Sequence, residues 1–516
     1  MRRLIVASSL LLAMGAGALL VWNVRPAHVQ DRMVAAVGER FGGRVEVSSL
    51  EISVLPSPTI TGMDLTLRVR DRTDVPPLIT VASFAASASL RGLLGRQLHL
   101  SKVSLDRYDI HVPPGGLRAA VDSPESKEHV PHAEPPSPIL IDEIVSRDAR
   151  LEIAPRSTDR LPRVFEIHDL VMHGFGLPEG ARFGAGVTNA IPRGRVETSG
   201  TFGPWHTDAP RLTPIRGEYV FKNANLNDIR GISGILSSVG QYRGTLERIE
   251  VDGQTETPDF SIDLAGQPVS LSTHFKVIVD GTNGDTWLDR VDARLGESNI
   301  VASGAVVRTR DVKGRHVTLD VQILQARIED LLRLAVKADK PPLTGRVDVT
   351  TTVLLPTGSQ DVIDRLNLDG RFNLAQARFT NVDLQRRIAA LSQRARGNEG
   401  AEAKDEGPSV VSNVRGRFVM RKARLEFKEL RFAIPGAEVQ LAGTYDLHRE
   451  ELDFQGDVLL DASLADMTSG FKSLFARLAQ PFFRRPGGGS KLPIRISGPR
   501  LKPQFRLDVR RVLTRG

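Results

Sequence analysis

The sequence predicts a mainly β protein: a long meander of antiparallel strands with a few short amphipathic helices, preceded by one N-terminal transmembrane helix. Three observations predict it. Apolar and polar residues alternate in segment after segment, the period of a strand that buries one face and wets the other. Forty-six glycines and thirty-one prolines punctuate the 516 residues, as many short strands and turns require. An uncharged run, Leu4 to Val24, opens the chain.

That run follows Arg2 and Arg3. As a helix rising about 1.5 Å per residue it would measure about 31 Å, close to the hydrocarbon thickness of a bilayer. Trp22 falls at its far end, where an amphipathic ring suits the membrane interface, and Arg25-Pro26 ends it. The paired arginines favour a cytoplasmic N-terminus with the bulk of the chain translocated. Ala16-Gly17-Ala18 keeps a cleaved signal peptide open as the alternative. No later stretch approaches about 18 apolar residues, so a single crossing is expected.

A short amphipathic helix is expected next, with Val29, Met33, Val37 and Phe41 on one stripe. Strand patterns then begin with Val45, Val47, Leu50, Ile52 and Val54, and with Leu65, Leu67 and Val69. More alternation spans Ser87 to Leu105 around a Gly92–Gly95 turn. Further sets are Phe260, Ile262 and Leu264; Phe275, Val277 and Val279; Val317, Leu319, Val321 and Ile323; and Val347, Val349, Val353 and Leu355. Leu425 with Phe427 and Val439 with Leu441 continue the pattern. A glycine followed two residues on by an apolar residue recurs at Gly200, Gly217, Gly345, Gly370, Gly416 and Gly443. It reads as the start of a strand in a hairpin unit used many times. Helical spacing predicts helices over Asn227–Val239, Arg327–Val336, Leu384–Ala395 and Ser469–Phe483.

The organisation that follows is a transmembrane signal-anchor over 1–24, an N-terminal β region over 25–118 and a central β-sheet region over 139–396. A C-terminal β region over 409–516 carries a basic amphipathic helix over 469–483. A proline-rich, charged stretch over 119–138 reads as a flexible linker, and 397–408 as a disordered loop.

Chemistry is sparse. The absence of cysteine excludes disulfides, thiolate metal sites and cysteine nucleophiles. The charge of +8 is spread along the chain rather than clustered, which argues against a nucleic-acid partner. His129 and His132 lie in the linker stretch, where nothing rigid would fix metal geometry, and His168 and His173 read as surface or satisfied residues. There is no HExxH, GxSxG or GxxxxGK[ST] motif. Gly174–Gly180 has the wrong spacing for a dinucleotide loop. Asp280-Gly-Thr-Asn-Gly-Asp285 lacks calcium-loop spacing and reads as a hairpin turn about Asn283-Gly284. No catalytic residue, metal ligand or cofactor is assigned, and no enzymatic activity is expected. The stretch 469–485 reads either as an interfacial helix or as a helix capping the end of a sheet. On the first reading Phe471, Phe475 and Phe482 enter the acyl boundary, and Arg484 and Arg485 meet lipid phosphates.

Several phrases resemble a known group. Arg44 to Pro58 (RVEVSSLEISVLPSP), Ile60-Thr-Gly-Met-Asp-Leu65, Pro77 to Phe84 and Leu90 to Asp106, behind a basic start and one membrane helix, resemble the N-terminal region of the AsmA family. Leu368 to Asn381, Leu441-Ala-Gly-Thr-Tyr-Asp-Leu447 and Leu492 to Phe505 resemble AsmA C-terminal regions. These are phrase-like patterns rather than catalytic signatures; the middle, about Gly174 to Pro341, matches less distinctively.

The resemblance implies a protein of the bacterial inner membrane, single-pass, with its bulk in the periplasm. It also implies a long curled antiparallel sheet, taco-like, whose inner face is an apolar groove, and a part in lipid transfer and outer-membrane biogenesis. The expected partners are a phospholipid or other acyl lipid, the inner membrane and an outer-membrane or assembly-machinery protein. Inward strand positions are the candidate groove residues: Phe260, Ile262, Leu264, Val317, Leu319, Val321, Val347 and Val349. The rival expectation is a non-enzymatic structural or assembly factor for outer-membrane proteins, its apolar side chains packed into a closed core. A hydrolase with dispersed residues is a third, and would show a pocket of clustered ionisable groups.

Overall fold

The structure, a computed structural model, describes residues 43–53, 57–69, 76–77, 79–88, 99–112, 140–153, 163–204, 210–264, 267–281, 284–308, 315–380, 412–461 and 490–507. Several expectations lie outside them: the membrane helix over 1–24, the helix over Val29–Phe41, the turn at Gly92–Gly95, the stretch 119–138, the helix over Leu384–Ala395, the loop 397–408 and the helix over 469–483. Among the described residues no helix is long and apolar enough to cross a membrane.

Strand dominates the described residues, which fall into two compact units. The first comprises residues up to Ala224 together with Val239–Ile249; the second comprises Asn225–Ser238 and the chain from Glu250.

The first unit begins with β1 (Gly43–Glu46), β2 (Ser49–Ser53), β3 (Thr59–Val69), β4 (Ile79–Ala88) and β5 (His99–Val112). It continues with β6 (Leu140–Ile153), β7 (Arg163–Phe175), β8 (Ala181–Asn189), β9 (Arg193–Phe202) and β10 (Pro214–Asn225). β3 to β5 and β6 to β9 are antiparallel meanders. The two meet in a parallel pair: β5 and β6 run side by side from His99↔Leu140 to Val112↔Ile153. This corrects the expectation of antiparallel pairing throughout. A parallel pair needs a return path along the length of the strands, and a connection of a dozen or more residues provides it. Chain 113–139 makes that connection, so the proline-rich stretch separates β5 from β6 in sequence while the ladder joins them.

In the second unit β11 (Ile232–Ser233), the start of β12 (Ile235–Thr245) and β13 (Arg248–Ile262) precede a long meander. Its first strands are β14 (Val269–Val279), β15 (Thr286–Leu295), β16 (Ser298–Arg308), β17 (Arg315–Arg327), β18 (Leu343–Leu355) and β19 (Asn367–Phe379). Then come β20 (Ser412–Arg421), β21 (Arg424–Ile434), β22 (Ala437–Asp446), β23 (Glu451–Leu460), β24 (Ser490–Pro499) and β25 (Gln504–Leu507). These twelve form eleven consecutive antiparallel pairs. α1 (Ile328–Ala335) links β17 to β18, and α2 (Val362–Arg365) links β18 to β19.

The expected helix at Arg327–Val336 is present as α1. Glu329 and Asp330 lie in its first turn and Arg333 in its last, the order that suits the helix dipole. The helix expected over Asn227–Val239 is absent. A 3-10 turn at Leu226–Asp228 is followed by β11 and β12. Gly231 and Gly234 adopt φ of +92° and +134°, which no α-helix accommodates. Leu236 is half-buried while Ile235 and Val239 face solvent, which is strand periodicity.

The glycine phrase also needs correction. Gly200, Gly370, Gly416 and Gly443 lie inside β9, β19, β20 and β22 rather than at strand starts. Gly443 shows why. It faces Phe427 on one neighbour and Phe454 on the other, and a Cβ there would strike the Asp453 carbonyl oxygen. The two rings close over it to 5.7 Å between centroids. Residues two strands apart in a flat sheet are separated by about 9.6 Å. The glycine therefore leaves room for the two rings to lean together over the strand between them. Register shifts at Lys276/Val277, Leu288/Val291, Ile323/Ala326 and Phe427/Leu430 mark β-bulges, which bend and twist a strand locally.

Candidate functional site: uncharged rows across the strands

The registers of the second unit align its inward residues into cross-strand rows. One row runs Phe275, Val291, Ala302, Val321, Thr351, Gly370, Phe418, Phe427, Gly443, Phe454, Ile496 and Phe505. A second runs Val277, Leu288, Gly304, Leu319, Val353, Leu368, Met420, Leu425, Tyr445, Leu452 and Gly498. A third runs Thr273, Ala293, Ile300, Ile323, Val349, Phe372, Gly416, Leu430, Leu441, Gly456 and Ile494. None of these positions carries a charge. Most of their side chains are half-buried, where the core of a two-layer sandwich would be covered completely.

The few polar groups on this face are engaged internally. Thr273 shares a 2.6 Å hydrogen bond with Thr255, and the Thr351 hydroxyl donates to the Asp369 carbonyl at 3.1 Å. Burial pushes the Tyr445 hydroxyl above its usual pKa, so it stays neutral. The opposite face carries the ions: Arg495 to Asp453 at 3.0 Å, Lys491 to Asp457 at 3.0 Å and Arg290 to Asp292 at 2.7 Å. Along these rows one face is uncharged and the other ionic; beyond Val306 and Val317 the first face carries Arg308 and Arg315, the latter paired with Asp285 at 3.3 Å.

At both ends of the strands the face closes. Ile323, Ala326, Val347, Leu374 and Ala377 form a buried cluster at one end, covered by Ile328 and Leu331 of α1. α1 is tied down by Asp330, which is 4% exposed and accepts from the Ser298 hydroxyl at 2.7 Å and the Glu297 amide at 3.1 Å. At the other end Ile363 of α2 packs with Met420, Ala423 and Leu447.

The first unit repeats the pattern. Leu50, Gly62, Phe84, Leu105, Ser146, Leu170 and Ala185 align across β2 to β8. The Ser146 hydroxyl is buried and donates to the Tyr108 oxygen at 3.0 Å.

Five of the eight groove candidates share one face on neighbouring strands: Val317, Leu319 and Val321 on β17, Val347 and Val349 on β18. Val347, 1% exposed, belongs to the closed cluster under α1 rather than to the half-open rows. Leu264, beyond β13, packs against the cluster of Ile363 and Met420. Phe260 and Ile262 are half-buried on β13, and Ile262 pairs with Ile232. The interface candidates Trp22, Phe471, Phe475, Phe482, Arg484 and Arg485 lie outside the described residues. Sequence reasoning did not single out Phe372, Phe418 and Phe454, whose rings stand on the same face. Their signal was the glycine two positions earlier, or the period-two spacing with Leu452.

The other chemical readings resolve locally. His168 bonds the Thr188 hydroxyl at 2.7 Å. Gly174–Gly180 is a tight connection between β7 and β8, with Leu177 N donating to Gly174 O and Gly180 N to Leu177 O. The 280–285 stretch closes the β14–β15 hairpin: Asp280 N donates to Asp285 O at 2.8 Å and Gly284 N to Asp280 O at 2.5 Å. Among the described residues no three histidine or carboxylate side chains converge as a metal site. No family model matches the chain, and no curated protein matches it either.

Proposed function

We propose that this chain is a lipid-binding or lipid-transfer protein whose uncharged sheet face shelters acyl chains. On this reading it is anchored in a bacterial inner membrane with its bulk in the periplasm, and serves outer-membrane biogenesis as a member of the AsmA family. The observation that carries the reading is the set of cross-strand rows that cross eleven to twelve consecutive strands without a charged residue.

Physical arguments support it. At about 4.8 Å per strand the rows run on the order of 50 Å, some three times the roughly 15 Å depth of one bilayer leaflet. Leaving a bilayer exposes methylenes at about 0.8 kcal/mol each, and an apolar face that shields them offsets that cost. Dispersion and burial are not directional, so an acyl chain meets no site that would hold it in one place. The phrases that resemble the AsmA family agree with this picture.

Uptake of a fluorescent phospholipid from donor vesicles by the purified full chain tests the proposal. Wild type should take up the probe, and Leu319→Asp with Val321→Asp should abolish uptake while leaving the far-ultraviolet circular dichroism unchanged. A wild-type chain that takes up no lipid would contradict the proposal and favour the assembly-factor reading.

A further inference from the structure

Several outward basic residues are held by carboxylates even where two of them are direct cross-strand partners: Lys276 and Arg290 face each other and are held by Asp252 and Asp292, and Arg327, which faces Arg346, is held by Glu297. Lys102 meets Glu143 at 2.8 Å, Lys222 meets Glu197 at 3.2 Å, and Lys491 meets Asp457 at 3.0 Å. The outer face of β19 and β20 departs from this pattern. Arg371 and Arg417 are direct cross-strand partners. Arg415 is the direct partner of Arg431 on β21. Arg378 and Arg421 extend the same face, on which Asp369 is the one carboxylate of these two strands. Like charges directly opposite one another in a sheet are destabilising. Glu429 faces Arg417 in register, but its carboxylate is held by Arg431 at 2.6 Å. Among the described residues, Arg371, Arg415 and Arg417 have no carboxylate partner, and all three are exposed.

We propose that this arginine face docks on the phosphate headgroups of an anionic bilayer. Guanidinium forks match phosphate oxygens in geometry as well as charge. A sheet sets its side chains about 5 Å apart across strands and about 7 Å apart along them. Such an array meets many phosphates on a surface, whereas a single small anion calls for a pocket with converging donors. The outward neighbours Asn373, Asn413 and Val419 offer no ring on which a base could stack, unlike the platforms that bind single-stranded nucleic acid. The choice of a lipid surface over another polyanion rests on the function proposed above. The register places the array on the back of the strands whose front carries the uncharged rows.

The test holds the full chain by a C-terminal tag in an uncharged amphipathic polymer and flows vesicles over it. Vesicles of phosphatidylcholine with about 30% phosphatidylglycerol should be captured, and phosphatidylcholine alone should not. Arg371→Gln with Arg415→Gln and Arg417→Gln should weaken capture on the order of 100-fold at low salt. Lys491→Gln with Arg495→Gln, on paired charges of the same unit, should leave it nearly unchanged. Raising salt to about 0.5 M should release the wild-type chain, a readout that needs no variant. Capture that is indifferent to salt or to the triple substitution would overturn the proposal. So would binding of polyglutamate without binding of anionic vesicles, which would point to an acidic protein partner. Phospholipid uptake, measured in parallel, should survive the triple substitution. Loss of uptake by wild type with capture intact would contradict the lipid-binding reading alone, and loss of capture with uptake intact would contradict the docking face alone.

Discussion

Gly456 lies inside β23, and a Cβ there would strike the Gln440 carbonyl oxygen of the neighbouring strand. Gly184 lies inside β8 with nothing within 4 Å of a built Cβ. Gly456→Ala should therefore cost about 1–3 kcal/mol, as overpacking does, whereas Gly184→Ala should change stability by less than about 1 kcal/mol. Denaturant midpoints of the two variants check this, and equal shifts would contradict it. Asp330 offers a second comparison. Asp330→Ala strands the Ser298 hydroxyl and the Glu297 amide and should cost about 1.5–3 kcal/mol, seen as faster amide exchange in α1. Tyr242 and Tyr445 have pKa values raised by burial. The unfolded chain ionises tyrosine near pH 10 while the folded chain still holds these protons. Their stabilising contribution is thus complete below about pH 10 and is lost as pH rises through the folded values. Denaturation midpoints should fall above about pH 10, and less steeply in Tyr445→Phe.

Elements show which signals in the sequence were decisive. Alternation located β14, β17 and β18 and put Val317, Leu319, Val321 and Val349 on one face, because a period of two fixes sidedness once a strand exists. Alternation carries no information on strand direction, so the parallel pair of β5 and β6 was not legible. Asn227–Val239 misled because its four apolar residues fit a helical stripe. The glycines at 231 and 234 were the stronger signal, and both take positive φ. Depth was not legible either: Val347 and Val349 read alike, yet α1 covers the former and leaves the latter half-open. Sidedness yields a sharp test. Val321→Asp should abolish phospholipid uptake, whereas Thr318→Asp, exposed on the opposite face of β17, should leave it intact.

At the scale of the whole molecule, the β class and, among the described residues, the scarcity of helix were legible, since both follow from composition and local period. The cross-strand rows were not, because they depend on the register of every strand against the next. Gly443 and Gly456 stand in these rows among Phe427, Phe454, Leu441 and Ile494. The central claim is that this face holds acyl chains. Native mass spectrometry with lipid extraction, on full chain purified from a membrane-bearing host, tests it most directly. Phospholipid should accompany the wild-type chain and be absent from the Leu319→Asp, Val321→Asp variant. A wild-type chain free of lipid, or a double variant carrying as much lipid as wild type, would contradict it.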